Sequence, residues 1–269
     1  MTDRLARIAR GWDEAAAGYE VYFVPRFAPW VRTAVDAVGD VPDGPILVPC
    51  CGTFPELDLL APRFPGRRIV GIDLSAGMVR LARERAARLP DADVELVQSD
   101  AAALDPRWLG FCAAVVSVFG LQQLPDPRSA IASWYDALRP GGRLCVVYWP
   151  DVAEETGPFA LLDSVVGDDA GRPWEDELVP ALAGAEIERD EMVSHPMTHP
   201  DAATYFDAVH RAGPMRALAL ARGDDYMAEL RVQYLDHAPV GEWTHHPRAR
   251  LIVVRRPPSR AAGVPPTSG

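Results

Sequence analysis

Two acidic residues close short apolar runs in a way that suits recognition of a nucleoside. Asp73 ends Arg68–Asp73, about twenty residues beyond Gly52 in the stretch Cys50-Cys51-Gly52-Thr53-Phe54-Pro55-Glu56. A carboxylate one strand over from a glycine turn can accept hydrogen bonds from two ribose hydroxyls. Asp100, in Ser99-Asp100-Ala101, follows the next apolar run and is placed to accept from an adenine amino group. Gly52 lets backbone approach a ligand closely. Thr53 and Glu56 have capping-box spacing and Pro55 suits a first helical turn, so the amides there can meet a carboxylate or a ribose oxygen. The competing role for Asp73 is a helix cap, which Ser75 also offers.

Such residues need a sheet to hold them. Apolar runs that read as strands are Ile46–Pro49, Arg68–Asp73, Val94–Gln98, Ala113–Val118 and Arg143–Tyr148. Nearly all-apolar strands suit a parallel sheet covered on both faces. The helix after Ser75 puts Met78, Leu81, Ala82, Ala86 and Leu89 on one side. Before the first strand, Leu5, Ile8, Trp12 and Ala15–Ala16 fall at helical spacing, and Phe27–Val38 gives a second amphipathic run. Past Trp149 the rhythm changes. The division expected is 1–44, N-terminal helices contributing to a lid; 45–150, a Rossmann-like core; 151–245, a mostly helical cap with one strand at Ala185–Val193; 246–256, a final sheet strand; and 257–269, a disordered tail.

Bulk composition excludes several functions. The formal net charge of −11 disfavours a phosphate backbone as partner. No lysine occurs, so Schiff-base chemistry and a Walker lysine are ruled out. Cys50, Cys51, Cys112 and Cys145 make no C-x-x-C pair. His195 and His199 are four apart, but Pro196 and Pro200 break the helix a metal pair would need, so no metal is expected. No apolar run approaches the ~20 residues of a membrane span. The charged N-terminus does not read as a signal peptide, and a cytoplasmic location is expected.

In order and spacing, VGIDLSAGM, SDA, GLQQLPDP and LRPGG resemble the class I S-adenosylmethionine-dependent methyltransferases, in particular the ubiquinone/menaquinone-biosynthesis-like branch. The resemblance covers roughly Trp12 to Tyr148. It implies an α/β, Rossmann-like fold with a mostly parallel seven-stranded sheet flanked by helices and an antiparallel final hairpin. It also implies S-adenosylmethionine as cofactor, with Asp73 on the ribose, Asp100 near the adenine, and Met78 and Ala101 around the purine. Cys50, Gly52, Thr53, Leu74 and Phe119 complete the expected cofactor set, and Tyr19 is expected near the reacting centre. The chain departs from the family's first motif, acidic-x-Gly-x-Gly-x-Gly. Those positions hold Val48, Cys50, Gly52 and Phe54. Val48 removes a carboxylate that normally helps fix the methionine amino group, and Phe54 is expected to put a ring at that end of the site. Gln122 and Gln123 stand where many relatives carry histidine. Glutamine cannot act as a base at neutral pH but can orient a carbonyl or hydroxyl.

Phe159, Trp174, Tyr205, Phe206, Tyr226, Tyr234 and Trp243 make the segment after 150 aromatic, which suits a medium-sized, largely apolar substrate. Tyr19, Gln123 and His210 are the expected catalytic side chains, with His210 as candidate base. The function expected is methyl transfer to a small, largely apolar metabolite of secondary metabolism. The alternatives are a non-methylating reaction on the same fold, such as cyclisation or dehydration, and ligand binding without turnover. The expected partner is a small molecule, with no nucleic acid and no membrane; the oligomeric state is left open.

Overall fold

The computed structural model describes residues 3–167 and 172–258. Along the chain run α1 (Asp3–Ala37), β1 (Ile46–Pro49), α2 (Leu57–Arg63), β2 (Ile69–Asp73), α3 (Ala76–Ala86), β3 (Val94–Gln98), β4 (Cys112–Val118), α4 (Pro127–Asp136) and β5 (Leu138–Tyr148). Then follow α5 (Pro158–Val166), α6 (Glu175–Ala181), β6 (Glu186–Ser194), β7 (Met197–His199), α7 (Ala202–His210), α8 (Gly213–Arg222), α9 (Asp224–His237), β8 (Trp243–His245) and β9 (Arg248–Arg255).

The main sheet has seven strands in the order β3-β2-β1-β4-β5-β9-β6. The first five pair in parallel, and β9 inserts antiparallel between β5 and β6. The strand pattern predicts the parallel part of this sheet, and the resemblance implies its antiparallel end. β1 and β4 are apolar along nearly their whole length because both faces are covered. One face carries α1 and α2 over a cluster that includes Trp30, Phe54 and Leu57. The other carries α4 and α6 over Trp134, Leu144 and Leu178. From β1 the chain winds one way to β2 and β3, then returns to β4 on β1's other side. That reversal opens a crevice beyond the carboxyl ends of β1 and β4.

The N-terminal region is one helix of 35 residues rather than two. Pro25 and Pro29 lie inside it, each at a cost of about 3 kcal/mol. The helix continues because Phe23, Phe27, Trp30, Val31 and Ala34, at helical spacing on one face, are buried against the sheet.

The stretch 151–245 is less uniform than its helical pattern suggests. β6 is an edge strand of the main sheet, and β7 pairs with β8 in a separate two-stranded ribbon. Helices α5, α7, α8 and α9 enclose a cluster around Tyr205, Phe206, Met215 and Tyr234. The expected disordered tail lies outside the described residues from 259 onward. No helix among the described residues is long and apolar enough to cross a membrane.

Candidate active site

The turn after β1 is pinned to the end of β2 by one side chain. Asp73 accepts the Gly52 N–H at 2.8 Å on Oδ2 and the Ser75 N–H at 2.9 Å on Oδ1. Burial pushes its pKa up, against the N–H groups of Ser75, Gly52 and Leu74 that hold it down. A carboxylate has about four lone-pair sites, so one on each oxygen stays free toward the crevice. Ser75 caps α3, accepting the Met78 N–H at 3.1 Å, so the cap role for Asp73 is not needed.

Among the described residues the non-glycine positions with left-handed backbone are Cys50 (φ 55°), Phe54 (φ 65°) and Phe119 (φ 58°). All three follow β1 or β4, at the crevice. Each costs about 1–2 kcal/mol, which marks the loops as built for something other than stability.

Cys50, Gly52, Asp73, Leu74, Met78, Asp100, Ala101 and Phe119 line one crevice. Asp100 accepts the Ala102 N–H at 2.9 Å, which fixes its turn, and Trp134 Nε1 donates to the Ala101 carbonyl at 2.8 Å. Thr53 does not reach the crevice wall; it is fully buried, with Oγ1 unpartnered among the described residues. The far wall is α1, through Leu5, Ile8, Trp12 and Tyr19. Asp13 holds that helix in place, its Oδ1 accepting from Ser75 Oγ at 2.6 Å and from the Gly77 N–H at 2.9 Å. A side chain at Gly77 would strike the Asp13 backbone at 2.9 Å, so glycine sets this approach.

A second cavity of about 580 Å³ adjoins the crevice. Trp12, Tyr19, Phe27, Phe119 and Gln123 belong to both walls. Phe119 stacks on Trp149, ring centroids 4.2 Å apart. Gln122 also faces this cavity, and its buried Oε1 has no partner among the described residues. Burial and the charges of Glu56, Asp73 and Glu20 push the Tyr19 hydroxyl far above the ordinary tyrosine pKa.

This geometry has counterparts. Residues 46–142 match a family model described as a methyltransferase domain. Residues 46–142 are a class I methyltransferase domain. The chain is 37% identical over 133 residues to trans-aconitate 2-methyltransferase of Paracidovorax citrulli, covering 49% of this chain and 47% of that protein. It is 31% identical over 150 residues to demethylmenaquinone methyltransferase of Renibacterium salmoninarum, covering 54% and 60%. The chain thus spans about half to three fifths of the length of these curated relatives. Among solved structures, the cyclase SpnF shares the fold with a TM-score of 0.54 at 18% identity, over 86% of this chain and 80% of that one.

Two features of the methyltransferase domain correct sequence expectations. The Phe54 ring does not enter the crevice. It is fully buried on the inner side, where the missing side chain of Gly71 makes room; a Cβ there would meet Phe54 Cε1 at 2.9 Å. Nor do Thr53 and Glu56 form a capping box. Glu56 is itself the N-cap of α2, its side chain makes no cap hydrogen bond, and Pro55 precedes the helix.

His210 is not on the wall of either cavity. Tyr205 and Val209 share the inward side of α7 and line the larger cavity, whereas His210 lies about 100° round from Val209. His195 lies against Trp30, with Nε2 3.0 Å from Thr33 Oγ1. His199 instead joins a chain that the sequence did not announce, because its members lie far apart along it. Tyr22 Oη is 2.8 Å from His199 Nδ1, His199 Nε2 is 3.0 Å from His245 Nε2, and His245 Nδ1 is 2.6 Å from Glu154 Oε2. With both rings neutral, every bond is satisfied when Tyr22 donates to His199, His199 to His245 and His245 to Glu154. The chain ties α1 to the β7–β8 ribbon and to the loop before α5.

Proposed function

We propose that this protein transfers the methyl group of S-adenosylmethionine to a small, largely apolar molecule. The observation that carries this reading is the joining of two cavities: a crevice furnished with Asp73 and Asp100 opens into an aromatic chamber across Trp12, Tyr19, Phe27, Phe119 and Gln123. The residues present fit the cofactor. Asp73 would accept from the ribose hydroxyls, Asp100 would meet the base, and Met78 and Ala101 would pack beside it, all four lining the crevice. When bound, S-adenosylmethionine supplies an electrophilic methyl carbon. The chain's part is to hold the acceptor atom in line with that carbon, an effect of about 7–11 kcal/mol at best.

None of the five side chains at the junction accepts a proton at neutral pH. Tyr19 stays protonated and serves as a donor, and Gln123 orients a polar group of the substrate. An acceptor served by these side chains alone is intrinsically strong, such as an amine, a thiol or an activated carbon acid, or arrives already ionised; the chamber wall also carries the carboxylate of Asp163. The same observation favours a second reading, in which the chamber folds its substrate into a reactive shape and no methyl group moves. Product and S-adenosylhomocysteine are to be measured together by mass spectrometry on candidate acceptors. Equal amounts support methyl transfer; product without S-adenosylhomocysteine, at a rate unchanged by stripping the cofactor, overturns it in favour of the second reading.

A further inference from the structure

Glu56 carries a carboxylate with no structural task. It is 3% exposed, it lies on the wall of the same crevice as Gly52 and Asp73, and its Oε2 has no hydrogen-bond partner among the described residues. A buried carboxyl oxygen without a partner is costly to keep. The cation nearest in effect, Arg85, is committed elsewhere: Nε donates to the Thr53 carbonyl at 3.0 Å, one terminal nitrogen to Glu20 at 2.6 Å and the other to Asp58. The remaining charged groups that bear on this end of the crevice, Asp73 and Glu20, are negative. Burial pushes the Glu56 pKa up to about 8, against a smaller pull down from its own backbone N–H and from Arg85, so its charged form gains from a further positive partner. Val48, near the end of β1, is fully buried and apolar in the core behind the loop.

We infer that Glu56 receives the α-ammonium of the amino-acid end of the ligand, replacing from the start of α2 the acid that the end of β1 lacks. This rests on the S-adenosylmethionine reading above and adds a residue to it. An ammonium brings a full charge and three donors, which is what an orphaned carboxylate oxygen on a crevice wall can use. Carbon in place of that nitrogen would leave Oε2 unpaired, and a hydroxyl would bring one neutral donor instead of a charged group with three, so Glu56 selects ligands that keep the amino group.

Titration calorimetry separates the possibilities with three probes: S-adenosylhomocysteine, its analogue lacking the amino group, and 5′-methylthioadenosine, which lacks the whole amino-acid end. Glu56→Gln is expected to weaken S-adenosylhomocysteine about 10- to 100-fold and to leave 5′-methylthioadenosine within about twofold. Retained binding of the nucleoside shows that the variant is folded. On the wild type, which needs no folding control, loss of the amino group alone should cost the same factor. Equal weakening of both ligands by Glu56→Gln, or equal affinity of the wild type for S-adenosylhomocysteine and its desamino analogue, overturns the assignment of Glu56 while leaving the cofactor reading standing. A wild type that binds none of the three overturns both.

Discussion

Replacing Asp73 by Ala tests the nucleoside end of the site, and its size can be worked from the bonds described. The two oxygens already take the N–H groups of Gly52 and Ser75 at 2.8 and 2.9 Å, leaving one lone pair on each for the ribose hydroxyls. Hydrogen bonds to a charged group are worth about 1.5–3 kcal/mol each, so two amount to roughly 3–6 kcal/mol. At 1.4 kcal/mol per factor of ten, affinity for S-adenosylhomocysteine should fall about 10²- to 10⁴-fold. Asp73→Asn should fall nearly as far, because its amide NH₂ would face one of the two backbone N–H groups. The loop also loses support in either variant, and a control isolates that effect: an analogue without ribose hydroxyls should weaken only by the loop's share, well short of the loss for S-adenosylhomocysteine. Because burial raises the Asp73 pKa, wild-type affinity should begin to drop on acidification above the usual carboxylate range, as the acceptor is protonated. The assay is calorimetric titration of wild type and variants at fixed salt. An Asp73→Ala dissociation constant within threefold of wild type would refute the ribose assignment.

Phe54→Gly should destabilise the protein by roughly 2–4 kcal/mol, since losing a fully buried ring costs about 3–5 and relief of its left-handed backbone returns about 1; a urea midpoint at or above the wild-type value would show that the ring is not part of the core. His210→Ala should leave turnover within about threefold, measured as S-adenosylhomocysteine released, whereas a drop of about 10²-fold or more would reinstate it as a general base. His199 is fully buried, and burial, with the nearby charges of His245 and Arg26, lowers its pKa from 6.5 to about 3. The folded state thus refuses a proton that the unfolded chain takes up below about pH 6.5. The resulting stability is complete above that pH and is lost toward pH 3, at up to about 1.4 kcal/mol per unit. Denaturant titrations at pH 5 and 7.5 should show a smaller acid loss for His199→Phe than for wild type; equal losses would remove His199 from the account.

The sheet was legible because burial on both faces writes itself into β1, β2 and β4 as unbroken apolar runs, and because the helix start at Ser75 has a local cap. α1 was legible as helix but not as one piece. Pro25 and Pro29 argue for a break, and only the tertiary burial of Phe27 and Trp30 holds the helix together. His210 was chosen by residue type, and α7 places it on neither cavity wall. The Tyr22–His199–His245–Glu154 chain had no local signature, since strand pairing of β7 with β8 brings its histidines together across 46 residues.

The first loop separates two requirements that one motif usually meets together. One is backbone shape. Cys50, Gly52 and Phe54 keep left-handed φ values of 55°, 54° and 65°, so the path of the turn survives the loss of two glycines. Phe54 offsets part of its strain by filling the space beside Gly71, a side-chain contribution that glycine could not make. The other requirement is charge, and it does not survive at Val48, whose side chain sits in the core. Charge and shape need not come from the same residue, because a carboxylate acts from wherever its oxygens reach the ligand. Glu56 lies on the same wall with an oxygen unspent. A sequence comparison made position by position scores Val48 and Phe54 as losses. The folded loop shows the second as a structural exchange, and the Glu56 proposal reads the first as a displaced function.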